Sequence, residues 1–388
     1  MGYNFTEEHL QLKELAHEIA EEKVRPVAAK HDVEGTFPWD IIKVFRDVDF
    51  FRIFIPEEYE GINFGITGLS LVIEELSRAC AGIALSLAGT ALGAYPIILF
   101  GSDEQKKKYL PQIASGEKLA AFAITEPEAG SDAGNVSTTA VKKGDKYILN
   151  GTKQWITNGG EAKIYSVIAT TNRERGIRGM TAFIVEDGYP GFSYGKKEDK
   201  MGIRASATRE LVFEDCEVPV ENLIGGREGI GFRVAMNTFD NTRPGVAAQA
   251  LGTAQGAFEL AVDYTRTRKQ FGTHISSFQG VQFMLADMAT QIEAARALVY
   301  EVSRRIDAGD KKTSKMSAMA KLFASDTAMN VTTDAVQLFG GYGYMRDYPI
   351  EKYMRDAKIT QIYEGTNQIQ RSVIALSEIK ESARKTGP

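Results

Sequence analysis

The sequence predicts an α+β fold, mostly α, in which a β unit lies between two helical ones. Three observations predict it. Apolar residues recur at helix-like intervals from Thr6 to Ser115, the period shortens towards two between Leu119 and about Gly225, and no proline falls between Pro244 and Pro349, a span that suits long helices. The 388 residues are too many for one small domain and suit two or three units around a large core. The pattern divides them into residues 1–118, 119–226 and 227–388.

In the first unit Thr6 is the natural N-cap ahead of Glu7 and Glu8, and Leu10, Leu12, Leu15, Ile19 and Val24 follow at helical spacing. Pro26 then bends or restarts the helix. Further helices are expected over Trp39 to Val48, Ile66 to Arg78, Ile83 to Leu99 and Asp103 to Ala114, with Gly61 and Gly65 punctuating a loop. In the middle unit strands are expected over Ala120 to Thr125, Tyr165 to Thr170, Thr181 to Val185 and Glu210 to Phe213. The turn Lys143-Gly144-Asp145-Lys146 suits a hairpin, so a small barrel or a pair of packed sheets results. The third unit predicts three long helices, roughly Gly229 to Arg268, Phe278 to Ala308 and Lys312 to Gly340, whose apolar positions suit an antiparallel bundle. Only the tail from Lys380 to Pro388 reads as frayed.

Composition narrows the partners. With 43% hydrophobic and 25% charged residues the chain reads as an ordinary soluble protein. A net charge of −5 without a long basic run argues against nucleic acid. Cys80 and Cys216 stand far apart, and His9, His17, His31 and His274 never pair at ligand spacing, so neither a disulfide framework nor a metal site is expected. The start MGYNFTEEHL has no apolar core of a secretory signal, and no run of eighteen apolar residues stands out; a cytoplasmic protein without membrane insertion is the expectation. Met1-Gly2 with Thr6 formally matches a myristoylation pattern, but Thr6 is better used as a helix cap.

The candidate chemistry gathers in two places. At the end of the third unit, Gln361 to Arg371 reads QIYEGTNQIQR, placing Glu364 in a turn between two helical patterns, beside Tyr363 and before Gly365 and Thr366. A glycine lets backbone approach a ligand, and a partly desolvated carboxylate has its pKa raised towards the range of a general base. The bland alternative is that Glu364 only caps the next helix. In the middle unit, FAITEPEAGSD (Phe122 to Asp132) and QWITNGG (Gln154 to Gly160) set the hydroxyls of Thr125, Ser131 and Thr157 beside glycines and Trp155, which is what a flat polar ring with many acceptors needs. A pair of tight turns around a core tryptophan would read the same way.

Taken together, TEPEAGSD, QWITNGG, RKQFG, QLFGGYGY with RDAKI, and IYEGTNQIQR, in that order and at compatible spacing, make residues 4 to 380 resemble the acyl-CoA dehydrogenase family of flavoproteins. The resemblance implies an N-terminal helical domain, a middle β-barrel domain and a C-terminal four-helix bundle, assembled as a homotetramer, a dimer of dimers, with FAD between subunits. It implies that Glu364 removes the α-proton of an acyl-CoA thioester while the β-hydride passes to the flavin, and that the Glu364 N–H stabilises the thioester oxygen. It implies FAD contacts at Phe122, Thr125, Ser131, Trp155 and Thr157, with Arg268, Phe271, Gln337 and Gly341 reaching a neighbouring subunit's cofactor, and further contacts at Thr366 and Gln368. Substrate contacts implied by it are Ser131, Asp240, Arg243, Tyr363 and Gly365, and the acceptor it implies is an electron-transfer flavoprotein.

Within the family, Thr242 in FDNTRPG cannot act as the base that other branches carry on this helix, so the chain resembles the short- and medium-chain, butyryl-like branch. Gly89, Thr90 and Ala91 in LAGTALGAYP leave room in the acyl pocket for a branched or cyclic group, although close helix packing asks for the same small residues. Asn135 stands where the family more often has a small residue. An acyl-CoA oxidase or an enoyl-CoA reductase on the same fold is the alternative; oxidases of this type are usually longer.

Overall fold

The computed structural model describes residues 3 and 5–385. Met1 and Gly2 of the myristoylation pattern and residues 386–388 of the tail lie outside them. Thr6 closes a capping box with His9 and starts α1, Glu7–Ile19. A π-helical turn, Ala20–Val24, leads into α2, Arg25–Glu34, where Pro26 occupies the first turn. Next come α3, Trp39–Asp47, α4, Gly65–Phe100, and α5, Asp103–Ala114, the last opened by a capping box from Ser102.

The two helices expected over Ile66 to Arg78 and Ile83 to Leu99 are one element, broken at Cys80, whose φ of −161° and ψ of 107° leave the helix. Carbonyls around the break find distant donors: Tyr353 Oη bonds the Arg78 carbonyl at 2.7 Å and Gln249 Nε2 the Ala81 carbonyl at 2.9 Å. By length and composition α4 qualifies as a membrane span, contrary to the expectation from the sequence, but it is mostly buried inside the protein, as the core helix of a domain is.

The middle unit is one curled sheet of seven strands: β1 Ala120–Ala123, β2 Thr139–Lys143, β3 Lys146–Thr157, β4 Ile164–Thr170, β5 Met180–Glu186, β6 Phe192–Lys197 and β7 Thr208–Pro219. Their order is β1-β4-β2-β3-β7-β6, with β5 on the other side of β4. The β2–β3 hairpin turns at Gly144 and Asp145 in the register Lys143 opposite Lys146. Strands β3 and β7 carry two irregularities, one between Lys153 and Ile156, which bend the sheet beside the site. Strand β6 was not anticipated: its side chains are half-buried or exposed and give no alternating pattern.

The third unit contains α6 Gly231–Thr267, α7 Gln279–Asp307, α8 Ser314–Phe339, α9 Ile350–Thr360 and α10 Asn367–Lys385, with a two-stranded arm, Lys269–Gln270 and Thr273–His274, after α6. The tail is therefore helical as far as Lys385. The N-terminal and C-terminal helical units meet where α4 lies along α6. A Cβ at Gly252 would stand 2.0 Å from the Glu74 carbonyl oxygen, so only glycine permits this approach. At the far end of α4, a Cβ on Gly93 would stand 2.3 Å from the Ala121 nitrogen, and Ser166 bonds the Gly93 carbonyl at 2.8 Å. These contacts bring β1 and the sheet against α4, and the site forms where helices and sheet converge.

Candidate active site

The turn between α9 and α10 carries the key carboxylate. Thr366, not Glu364, caps α10: its hydroxyl accepts from the Ile369 N–H at 3.3 Å. Glu364 is thereby released from the capping role. It sits in the left-handed region with φ 50°, followed by Gly365 at φ 91°. For a residue with a Cβ that conformation costs about 1–3 kcal/mol and persists only when the surroundings impose it.

The surroundings do so by taking hold of two consecutive carbonyls. Arg243 Nε donates to the Glu364 carbonyl at 3.2 Å, and Gln370 Nε2 donates to both the Glu364 and Gly365 carbonyls at 3.1 and 3.0 Å. Lys321 Nζ donates to the Gly365 carbonyl at 2.8 Å. The Glu364 N–H has no acceptor among the described residues, so it is available to a ligand oxygen.

The Glu364 carboxylate accepts from Thr242 Oγ1 at 3.0 Å and is pushed up to about 7 by burial, against the opposing pull of Thr242, Arg243 and Lys321. It is therefore about half ionised near neutral pH. Tyr363 packs beside it with its hydroxyl bonded to Gln249, and burial also raises that phenol.

Glu364 stands where two lobes of one cleft meet. A lobe of about 470 Å³ runs between α4, α6 and the sheet, and its walls are largely apolar, among them Leu85, Ala88, Leu92, Phe239 and Val246. A second lobe, about 620 Å³, continues past Lys200, Ile203, Lys358 and Ile362. Thr125, Gly130, Ser131, Trp155, Thr157, Tyr363, Glu364 and Gly365 line both.

Of the residues proposed from sequence, Phe122 and Arg243 also line the first lobe and Thr366 the second. Asp240 lines neither; its carboxylate accepts from Arg243 and from Ser314 Oγ, each at 3.0 Å. Gln368 is exposed on the first turn of α10 and also lines neither. Arg268, Gln337 and Gly341 line a separate cavity of about 550 Å³ that shares no residue with the two lobes, and Phe271 is 94% exposed on the adjoining arm. Gly89 and Ala91 reach the first lobe as expected, but Thr90 turns away: it donates to the Ser86 carbonyl at 2.8 Å and accepts from Asn158 Nδ2 at 3.1 Å.

Two residues that matter to the site escaped the sequence reading. Lys153, fully buried on β3, pairs with Glu126 at 2.6 Å, and Glu126 also accepts from the N–H groups of Ser137 and Thr138 at 2.6 and 2.9 Å. Burial works against both charges; Lys153 drops to about 8, while Glu126 is held at about 2 by the ammonium and its hydrogen bonds. This pair fixes the loop that presents Thr125, Gly130 and Ser131. The other is Lys321, a fully buried lysine in the small-residue run AMAKLFAS of α8. A lysine in such a run, on a helix otherwise read as core, was the available signal.

The second lobe suits a flat ring with a polar edge. Trp155, at φ 57° in the irregular stretch of β3, presents its indole 56% exposed beside the threonine hydroxyls, and a Cβ on Gly130 would meet nothing within 4 Å. With a carboxylate of near-neutral pKa at its mouth and an apolar lobe opposite, the cleft is that of an enzyme able to take a proton from an apolar-tailed substrate while a planar group lies alongside.

Comparison with known proteins agrees. The N-terminal, middle and C-terminal domain families of acyl-CoA dehydrogenase match residues 6–117, 121–216 and 229–378. The short-chain specific acyl-CoA dehydrogenase of Clostridium acetobutylicum is 49% identical over 377 residues, 97% of this chain and 99% of that one. The butyryl-CoA dehydrogenase structure from Megasphaera elsdenii superposes with a TM-score of 0.95 at 47% identity, covering 98% of this chain and all of that one. A chain in a structure described as the electron transferring flavoprotein of Acidaminococcus fermentans, concerned with flavin-based electron bifurcation, gives 0.95 at 53% identity, covering 97% and 99%. The chain belongs to the acyl-CoA dehydrogenase family, a family of flavoprotein oxidoreductases, and falls with its short-chain, butyryl-CoA dehydrogenase-like members.

Proposed function

We propose that this protein binds FAD and dehydrogenates a short acyl-CoA thioester between Cα and Cβ, with an electron-transfer flavoprotein as electron acceptor. The observation that carries the reading is the Glu364 carboxylate, raised to about 7 and placed where the two lobes meet beside Trp155, Thr125 and Thr157, which line both. FAD, when bound, supplies the acceptor for the β-hydride.

The chain's own residues account for the proton. Ionised Glu364, oriented by the Thr242 hydroxyl, takes the α-proton of a thioester whose acyl tail lies in the apolar lobe. Charge then develops on the thioester oxygen, and the unengaged Glu364 N–H is the donor available to it. The donors on the Glu364 and Gly365 carbonyls fix the turn that carries this N–H.

For the cofactor, Trp155, Thr125, Ser131 and Thr157 would hold the ring of the same subunit's FAD and Thr366 its approach. Arg268, Phe271, Gln337 and Gly341, gathered at a separate and exposed place, would serve a neighbouring subunit's FAD in a homotetramer. The acceptor assignment is supported by the similarity to the chain from the A. fermentans electron-transferring flavoprotein structure. The small residues Gly89 and Ala91 leave room in the apolar lobe for a branched or cyclic acyl group, which stands second to butyryl.

The test is anaerobic titration of the yellow protein with butyryl-, isobutyryl-, octanoyl-, glutaryl- and cyclohexanecarboxyl-CoA. One of them should bleach the flavin, and Glu364→Gln should keep the flavin while losing nearly all of that reduction. A protein indifferent to every thioester, or a rapidly bleaching Glu364→Gln variant, would refute the reading.

A further inference from the structure

We propose that Lys321 is a positioning residue for the base: through the Gly365 carbonyl and the Asn367 side chain it fixes the turn, and its ammonium is a buried positive charge against which the Glu364 carboxylate ionises. This rests on the role of Glu364 proposed above.

The geometry is specific. Lys321 lies on α8, fully buried, where a lysine is costly unless its donors are used. Its Nζ donates to the Gly365 carbonyl and to Asn367 Oδ1, both at 2.8 Å. Among the described residues its Nζ partners are this carbonyl and this amide, and no carboxylate. A buried ammonium bonded only to a carbonyl and an amide leaves its charge uncompensated locally. The turn it holds is the one that carries the base.

The charged and titratable groups around it are few. Glu364 and Asp326 favour its charge, while Arg243 on α6, itself paired with Asp240, opposes it. Asp326, on Lys321's own helix, is already engaged by Gln361 at 2.7 Å, Asn367 at 2.7 Å and Arg371 at 2.9 Å. Glu364 is thus the anion whose ionisation Lys321 most directly supports. Burial brings Lys321 down to about 7, the value to which burial brings Glu364 up.

Lys321→Met should fold, because Gln370 Nε2 at 3.0 Å still donates to the Gly365 carbonyl and Asn367 Nδ2 keeps its bonds to Ser325 Oγ and Asp326 at 2.9 and 2.7 Å. The experiment is stopped-flow anaerobic reduction of the holoenzyme by butyryl-CoA across pH, in wild type, Lys321→Met and Lys321→Arg. Loss of the ammonium should raise the pH midpoint of the reduction rate by about one unit. A turn displaced by a fraction of an ångström should also lower the plateau rate roughly 10- to 100-fold, with flavin content unchanged. Lys321→Arg, which keeps the charge, should hold the midpoint near wild type.

A midpoint unmoved in Lys321→Met, whatever the loss of rate, would overturn the proposal, since a purely structural lysine lowers the rate at every pH. Should Lys321→Met not fold, a Lys321→Arg midpoint more than half a unit (about 0.5) above wild type would overturn it, and a wild-type-like one would support it. If the wild type is reduced by no thioester, the assignment of Glu364 fails first and this inference with it; a reduced wild type with an unmoved Lys321→Met midpoint defeats this inference alone.

Discussion

Thr242→Val isolates one hydrogen bond at the reacting group. Thr242 Oγ1 stands 3.0 Å from Glu364 Oε2, and valine replaces the hydroxyl by a methyl of nearly the same volume. A hydrogen bond to a charged acceptor contributes about 1.5–3 kcal/mol net. At about 1.36 kcal/mol per pKa unit, its loss should raise Glu364 by about one to two units. The sign follows from which form is bonded: the hydroxyl stabilises the carboxylate, so removing it favours the protonated acid. Glu364 at about 7 in the wild type would move to about 8 or 9, starting from the value set by burial against Thr242, Arg243 and Lys321. The ionised fraction at neutral pH would fall from about half to about a tenth or a hundredth, and the rate of flavin reduction roughly 5- to 50-fold. Stopped-flow reduction from about pH 6 to about pH 9.5 reads this directly, since the loss should shrink as pH rises. Thr242→Ser should keep the wild-type midpoint. A midpoint that stays or falls in Thr242→Val, or a loss equal at all pH values, would refute the reasoning.

Two further outcomes follow from the supporting structure. Glu126→Gln leaves Lys153 buried without its carboxylate and should destabilise by about 3–5 kcal/mol in denaturant unfolding, with flavin loss; adding Lys153→Met should restore most of it. Gly89→Ala would set a Cβ 2.7 Å from Thr157 Cγ2, pushing that threonine towards the second lobe, so flavin retention on gel filtration should weaken while the fold, measured by circular dichroism, persists.

Where local chemistry decides, the sequence was legible. Thr6 caps α1, Asp103 to Ala114 is helical as expected, and the Gly144-Asp145 turn joins β2 to β3, because a cap, a helical period and a turn dipeptide each act within a few residues. The three long helices of the third unit were readable for the same reason: proline is excluded from most of them and the apolar period persists. Through-space chemistry was not legible. The break at Cys80 is tolerated because Tyr353 and Gln249, far along the chain, satisfy the freed carbonyls. Thr242 meets Glu364 across 122 positions and Lys321 meets Gly365 across 44, so the neighbouring residues name neither partner, and the run AMAKLFAS marks Lys321 only as out of place. Glu364 itself was ambiguous until Thr366, two residues later, was seen to cap α10.

The placement of Glu364 on a turn resolves two demands that a helix cannot meet together. Inside a helix the Glu364 N–H would bond the carbonyl four residues back and could not face a ligand. In the turn it is free, but the left-handed backbone must be imposed, and three buried donors from α6, α8 and α10 impose it. Two of those donors are cations, and they do a second task. Burial alone would raise the carboxylate further; Arg243, Lys321 and the Thr242 hydroxyl bring it back to about 7. The groups that hold Glu364 in place therefore also set its pKa, so changes to its supports should alter geometry and pH dependence together. A carboxylate balanced near neutrality takes up and returns a proton with comparable ease, which lets the same residues serve oxidation and the reverse reduction.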